Sequence, residues 1–146
     1  MSLGNIIEES FERSFKLYSD LIDSLDEATL NSKLPQLPSN TPGLQLWCVV
    51  GARESFSRAI KANQWSGFSC SLETASIIAP VSEALRHSAD SVLEVLTSID
   101  SYMDAQNRLI IDLLEHEAAH HGQLIRYLYG LKLAIPDSWK AKYGLD

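Results

Sequence analysis

The chain predicts an all-α four-helix bundle with crossover connections and a short C-terminal helix. Four separate stretches carry apolar residues at steps of three and four, and no stretch alternates as a half-buried strand does. Two of the three connections between those stretches are long, which favours crossovers over simple up-and-down wiring. The length, 146 residues, suits one domain over residues 1–146. A chain of that size buries roughly 68–70% of its unfolded surface and folds without staples.

Each element has its own signals. The first helix is expected from about Gly4 to Leu25, with Ile7, Phe11, Phe15, Tyr18, Ile22 and Leu25 on one face. Asp26 to Asn40 holds turn formers with Pro35 and Pro38, and one helical turn around Asp26–Leu30. Thr41-Pro42 starts the second helix, because a threonine hydroxyl caps orphan amides and a proline at the first position loses no hydrogen bond. That helix is expected to reach about Ala62, with Leu46, Val49, Ala52, Phe56 and Ile60 inward. Residues 64–78 read as a long loop anchored by Trp65 and Phe68. Pro80 opens the third helix, which presents Val81, Leu85, Ala89, Val92, Leu96 and Ile99 before Asp100 and Ser101 break it. The fourth and longest runs from about Met103 to Tyr129 with Gly130 as its stop, and Pro136 begins a terminal piece.

Charge and composition exclude several functions. Twelve Lys and Arg against 19 Asp and Glu leave a net charge of −7, without any basic run, so nucleic acid is not an expected partner. The longest apolar run, Leu46–Ala52, is far below the roughly 20 residues of a membrane span, so no membrane is expected either. The opening MSLGNIIEESFER lacks the basic and apolar regions of a secretory signal. Cys48 and Cys70 are then expected as reduced thiols in a cytoplasmic protein.

The chemistry concentrates in LLEHEAAHHGQ, which holds His116, His120 and His121. His116 and His120 are four apart, hence on one helical face and about 5–6 Å from each other, a spacing that chelates one ion. Leu109, Leu113, Leu124 and Tyr127 share that face, so both imidazoles point inward, where each needs a polar partner. The bland alternative is a pair of hydrogen-bonded core histidines. His121 lies about 100° round the wheel and reads as a half-buried helix contact. His87 projects away from its helix's stripe and reads as solvated.

The same residues spell the zinc-protease pattern HExxH as His116-Glu117-Ala118-Ala119-His120. A protease needs a third ligand downstream, and after His120 there is no Glu and no His but His121. A ferritin-like di-iron centre needs a second Glu-x-x-His, and none occurs.

The segment HEAAHHGQLIRYLYGLKLAIPDSW resembles the C-terminal signature of the DinB-like (DinB/YfiT) family of metal-dependent four-helix proteins. That signature sets His-x-x-x-His before Gly-Gln, a short apolar run, a glycine, and then proline with tryptophan. The resemblance implies a divalent metal, zinc or nickel, held by three histidines, two of them at His116 and His120. The third would fall in a stretch similar to Leu46-Trp47-Cys48-Val49-Val50-Gly51, where Cys48 stands in the histidine's place. A thiolate is a good zinc ligand, so His₂Cys with an open position is one outcome, and a site that has lost its metal is the other. Gln123, His121 and Tyr127 are then candidates to support or line the site, with Trp65 at its mouth and Gly122 permitting close helix approach or access.

The resemblance further implies a small-molecule substrate, a thiol-dependent transferase or hydrolase activity with a low-molecular-weight thiol as co-substrate, and a homodimer. The rival from another class is a metal-free helical scaffold or dimerisation protein. A third reading makes Cys48 a reactive thiol, which requires a depressed pKa.

Overall fold

A computed structural model describes residues 1–146. It contains α1 (Leu3–Ser24), α2 (Glu27–Leu30), α3 (Pro42–Ala62), α4 (Ile78–Ser98), α5 (Asp104–Gly130) and α6 (Asp137–Tyr143), without strands. No helix is long and apolar enough to cross a membrane.

The caps follow local chemistry. Thr41 Oγ1 accepts the Leu44 amide at 3.1 Å and Pro42 follows it, as the Thr-Pro pair predicts. Asp26 and Thr29 form a reciprocal capping box around the single turn of α2. α4 begins two residues ahead of Pro80, at Ile78, since a helix's first amides have no internal partner and a proline there costs no bond. Gly130 ends α5 from inside the helix, and the left-handed turn falls on Lys132 at φ 55°. What Gly130 supplies is space, because a Cβ there would stand 2.5 Å from Leu34 Cδ2.

Two apolar clusters fix the topology. One gathers Leu17, Leu21 and Ile22 of α1, Leu46 and Val49 of α3, Val81 and Leu85 of α4, and Leu124 and Leu128 of α5. The other gathers Phe11, Ile60, Val92, Val95, Ile110 and Leu113. Thus α1 and α5 run from the second cluster to the first, while α3 and α4 run the opposite way. α3 packs against α4 and α5, and α1 against the same two, so α1 and α3 occupy diagonal corners. This is an up-down-down-up bundle with crossovers, capped by α6.

Because α3 and α4 are parallel, the chain between Ala62 and Ile78 must climb back along the bundle. A 21-residue helix is about 31 Å long, within the reach of this segment. On the way Trp65 packs on Phe56 at 4.9 Å between ring centroids and Phe68 packs on Trp47 at 5.4 Å. Both loop aromatics are therefore anchors. Gly51 makes room for the second, since a Cβ there would collide with the Phe68 ring. The C-terminus is pinned by Trp139, fully buried, whose indole donates to the Leu17 carbonyl at 2.7 Å.

Candidate metal centre

The antiparallel contact of α3 and α5 brings Cys48, His116 and His120 together. One donor atom from each lies within 4.8 Å of the other two. Cys48 Sγ is 3.7 Å from His116 Nε2, and the two imidazole centroids are 4.5 Å apart. Tetrahedral zinc with ordinary bond lengths needs donor separations of about 3.3–3.6 Å, so a small contraction completes the site. His120 is buried while Cys48 and His116 are half-buried, which leaves one side of the cluster open to solvent.

A chain of hydrogen bonds orients His120. Its Nδ1 lies 2.6 Å from Gln45 Oε1, an acceptor, so the ring proton sits on Nδ1 and Nε2 keeps its lone pair for the cluster. Gln45 in turn donates to Asn40 Oδ1 at 2.9 Å, and the Tyr127 hydroxyl donates to the same oxygen at 2.8 Å. Tyr127 thus stands three hydrogen bonds behind His120. His116 has no such support. Its Nδ1 is buried without a partner, and its other nitrogen has only the long thiol contact.

A cation among the three donors would take the lone pair of His116 Nε2, which otherwise has only the thiol contact, and two imidazoles with a thiol are a donor set suited to zinc or nickel. Burial lowers the His116 pKa and takes His120 to about 4, the latter helped by His116 itself. Both rings are then neutral near pH 7, with no proton competing for the lone pairs. Burial raises the Cys48 thiol. The protein alone does not activate Cys48, contrary to the reactive-thiol reading, and a bound cation would be needed to displace its proton.

The adjacent buried face of α5, about 100° round from the two donor histidines, carries a second polar cluster. Arg53, itself buried, donates to Glu117 Oε1 at 2.6 Å and Oε2 at 3.1 Å. Ser14 Oγ donates to Glu117 Oε2 at 2.5 Å and lies 2.8 Å from His121 Nε2, whose partner nitrogen meets the Tyr143 hydroxyl at 2.6 Å. The guanidinium also stacks 4.5 Å from the Phe15 ring centre and donates to the Leu85 carbonyl at 3.0 Å. Burial by itself would raise the Glu117 carboxyl, but the charge and hydrogen bonds of Arg53, with Ser14, outweigh it and hold the group below its usual range. The glutamate of the HExxH pattern therefore has both carboxylate oxygens taken by Arg53 and Ser14 and is not free to serve the three donors as a base.

Of the other sequence candidates, Gln123 is half-exposed on α5 and His87 is solvent-exposed. His121 is more deeply buried than its expected half-buried contact, and belongs to the Glu117 cluster. A Cβ at Gly122 would meet nothing within 4 Å, so close helix approach does not explain that glycine. Trp65 sits against Phe56, two turns along α3 from Cys48. Sequence reasoning missed Gln45, Asn40, Ser14 and Arg53. A signal existed for Arg53, four residues after Val49 and three before Phe56, within the apolar stripe of α3.

The buried histidines predict acid sensitivity. His120 and His121, both taken to about 4 by burial, have an ordinary value of 6.5 when exposed. Between those values the unfolded chain binds more protons, so stability is complete above pH 6.5 and declines as pH falls towards 4. Thermal melts of metal-free protein are expected to drop across that window, with a shallower drop in His121→Gln. A flat wild-type profile would contradict the assignment.

No protein family, curated protein or solved structure matches the chain, so the geometry of its own residues carries the functional argument.

Proposed function

We propose that the chain is a metal-dependent enzyme of the DinB-like kind, a transferase or hydrolase acting on a small molecule, with zinc or nickel held by Cys48, His116 and His120. The observation that carries this reading is the convergence of those three donors on the open side between α3 and α5. When bound, the ion supplies Lewis-acid polarisation of a thiol or water, and a low-molecular-weight thiol is the co-substrate the resemblance favours.

The chain's own residues have separable tasks. Cys48 offers the soft, anionic donor. His120 is fixed in tautomer and orientation by Gln45, which Asn40 and Tyr127 hold in place. His116 is the adaptable donor, since no hydrogen bond fixes its ring. The metal-free scaffold is favoured by one observation, the contact already made between the neutral thiol and His116.

Elemental analysis of untagged protein purified without added metal separates the two readings. One zinc or nickel per chain is expected, lost in His120→Ala with helix content intact. Gln45→Leu is expected to weaken affinity about 10–100-fold, the usual effect of removing an outer partner of a ligand. No metal after incubation with zinc or nickel overturns the enzyme reading and leaves the scaffold.

A further inference from the structure

The α1 side of α5 opens into a cleft that the metal donors do not use. It lies between α1, α5 and α6, holds about 360 Å³, and has the Ser14–His121 pair at its floor. That volume is within the range of small-ligand sites. Arg13 of α1 and Lys142 of α6 both line it, and neither is within ion-pair distance of any carboxylate. On a chain of net charge −7, two unpaired cations facing one cleft are a local reversal of the field.

The one acid at the cleft floor is already neutralised. Glu117 is fully buried and gives both carboxylate oxygens to Arg53. Tyr143 also lines the cleft, and its hydroxyl is tied to His121 Nδ1 at 2.6 Å, which holds the ring as a wall. Lys142 Nζ sits 5.8 Å from the centre of that ring. Leu114 adds an apolar side. A guanidinium fork and an ammonium across a cleft suit a dianion better than a monoanion, and the apolar wall suits an organic group attached to it.

We infer that this cleft binds a small organic phosphate monoester, its phosphoryl oxygens between Arg13 and Lys142. The site is separate from the donor cluster and does not depend on metal being bound there.

Calorimetric titration of the purified protein at low ionic strength tests this with three probes, phenyl phosphate, inorganic phosphate and benzoate. Phenyl phosphate is expected to bind saturably at one per chain, with inorganic phosphate and benzoate each at least tenfold weaker. Arg13→Gln combined with Lys142→Gln is expected to weaken phenyl phosphate at least tenfold without changing metal content. Lys16→Gln, on a lysine already paired with Asp20, is expected to leave binding unchanged, as is Cys48→Ser. Absence of saturable binding, or equal binding by the double variant, overturns the site. Equal binding of benzoate overturns the dianion, and equal binding of inorganic phosphate overturns the monoester. Loss in Cys48→Ser would move the anion to the donor cluster.

Discussion

Replacing Arg53 with Met is expected to lower the melting temperature by about 10–20 °C. The guanidinium is 1% exposed, and Glu117 facing it is 0% exposed. Removing one partner of a buried ion pair typically costs about 3–5 kcal/mol, because the remaining charge has neither water nor a counter-ion. For a chain of this size each kcal/mol corresponds to about 3–4 °C. The loss reaches all four long helices, since Arg53 of α3 also bonds α4 through Leu85, while Glu117 of α5 holds Ser14 of α1. The double variant Arg53→Met, Glu117→Leu is expected to recover much of the deficit, as buried pairs exchanged for apolar groups of similar volume are often neutral. A drop of less than about 3 °C in the single variant would show that water reaches Glu117 and that the pair is not the buried hub described.

This hub shows where sequence reading stops. Period-3.6 patterning located all four long helices, because each buries one stripe and the stripe is local. Thr41-Pro42 placed the start of α3, because a cap is also local. The lengths of the two long connections pointed to crossovers, but not to which connection reverses the chain and which keeps two helices parallel. Nothing in the composition of residues 63–77 says whether the chain turns back at once or climbs the bundle, and that choice makes α3 parallel to α4. The partners of Glu117 were hidden for the same reason. Ser14 is 103 residues away from it and Arg53 is 64 away, so their meeting depends on the helix packing order. Within α3, Arg53 stood among apolar neighbours, where a periodicity argument treats a charged residue as an exception rather than as a buried partner. The donor cluster divides in the same manner. His116 and His120 share a face by spacing alone, whereas Cys48 was pointed to by resemblance and not by any pattern in its own helix.

Cys48 therefore carries the sharpest test of the centre. Cys48→Ala is expected to weaken zinc affinity by more than about 100-fold, beyond the 10–100-fold loss typical of outer partners, because a direct anionic ligand is gone. Cys48→His is expected to retain zinc. Histidine is the residue the resemblance places there, an imidazole reaches further from the backbone than a thiol, and the donors stand as much as 4.8 Å apart. Cobalt substitution provides a readout independent of activity. The wild type should show a near-ultraviolet sulfur-to-cobalt charge-transfer band, and both variants should lose it, while Cys48→His alone keeps the visible bands of a bound ion. The half-buried position of Cys48 makes Cys48→Ala tolerable to the fold, so an altered metal content cannot be blamed on unfolding if the far-ultraviolet spectrum is unchanged. Unchanged zinc affinity in Cys48→Ala would remove Cys48 from the donor set, and the two histidines would then need another third ligand.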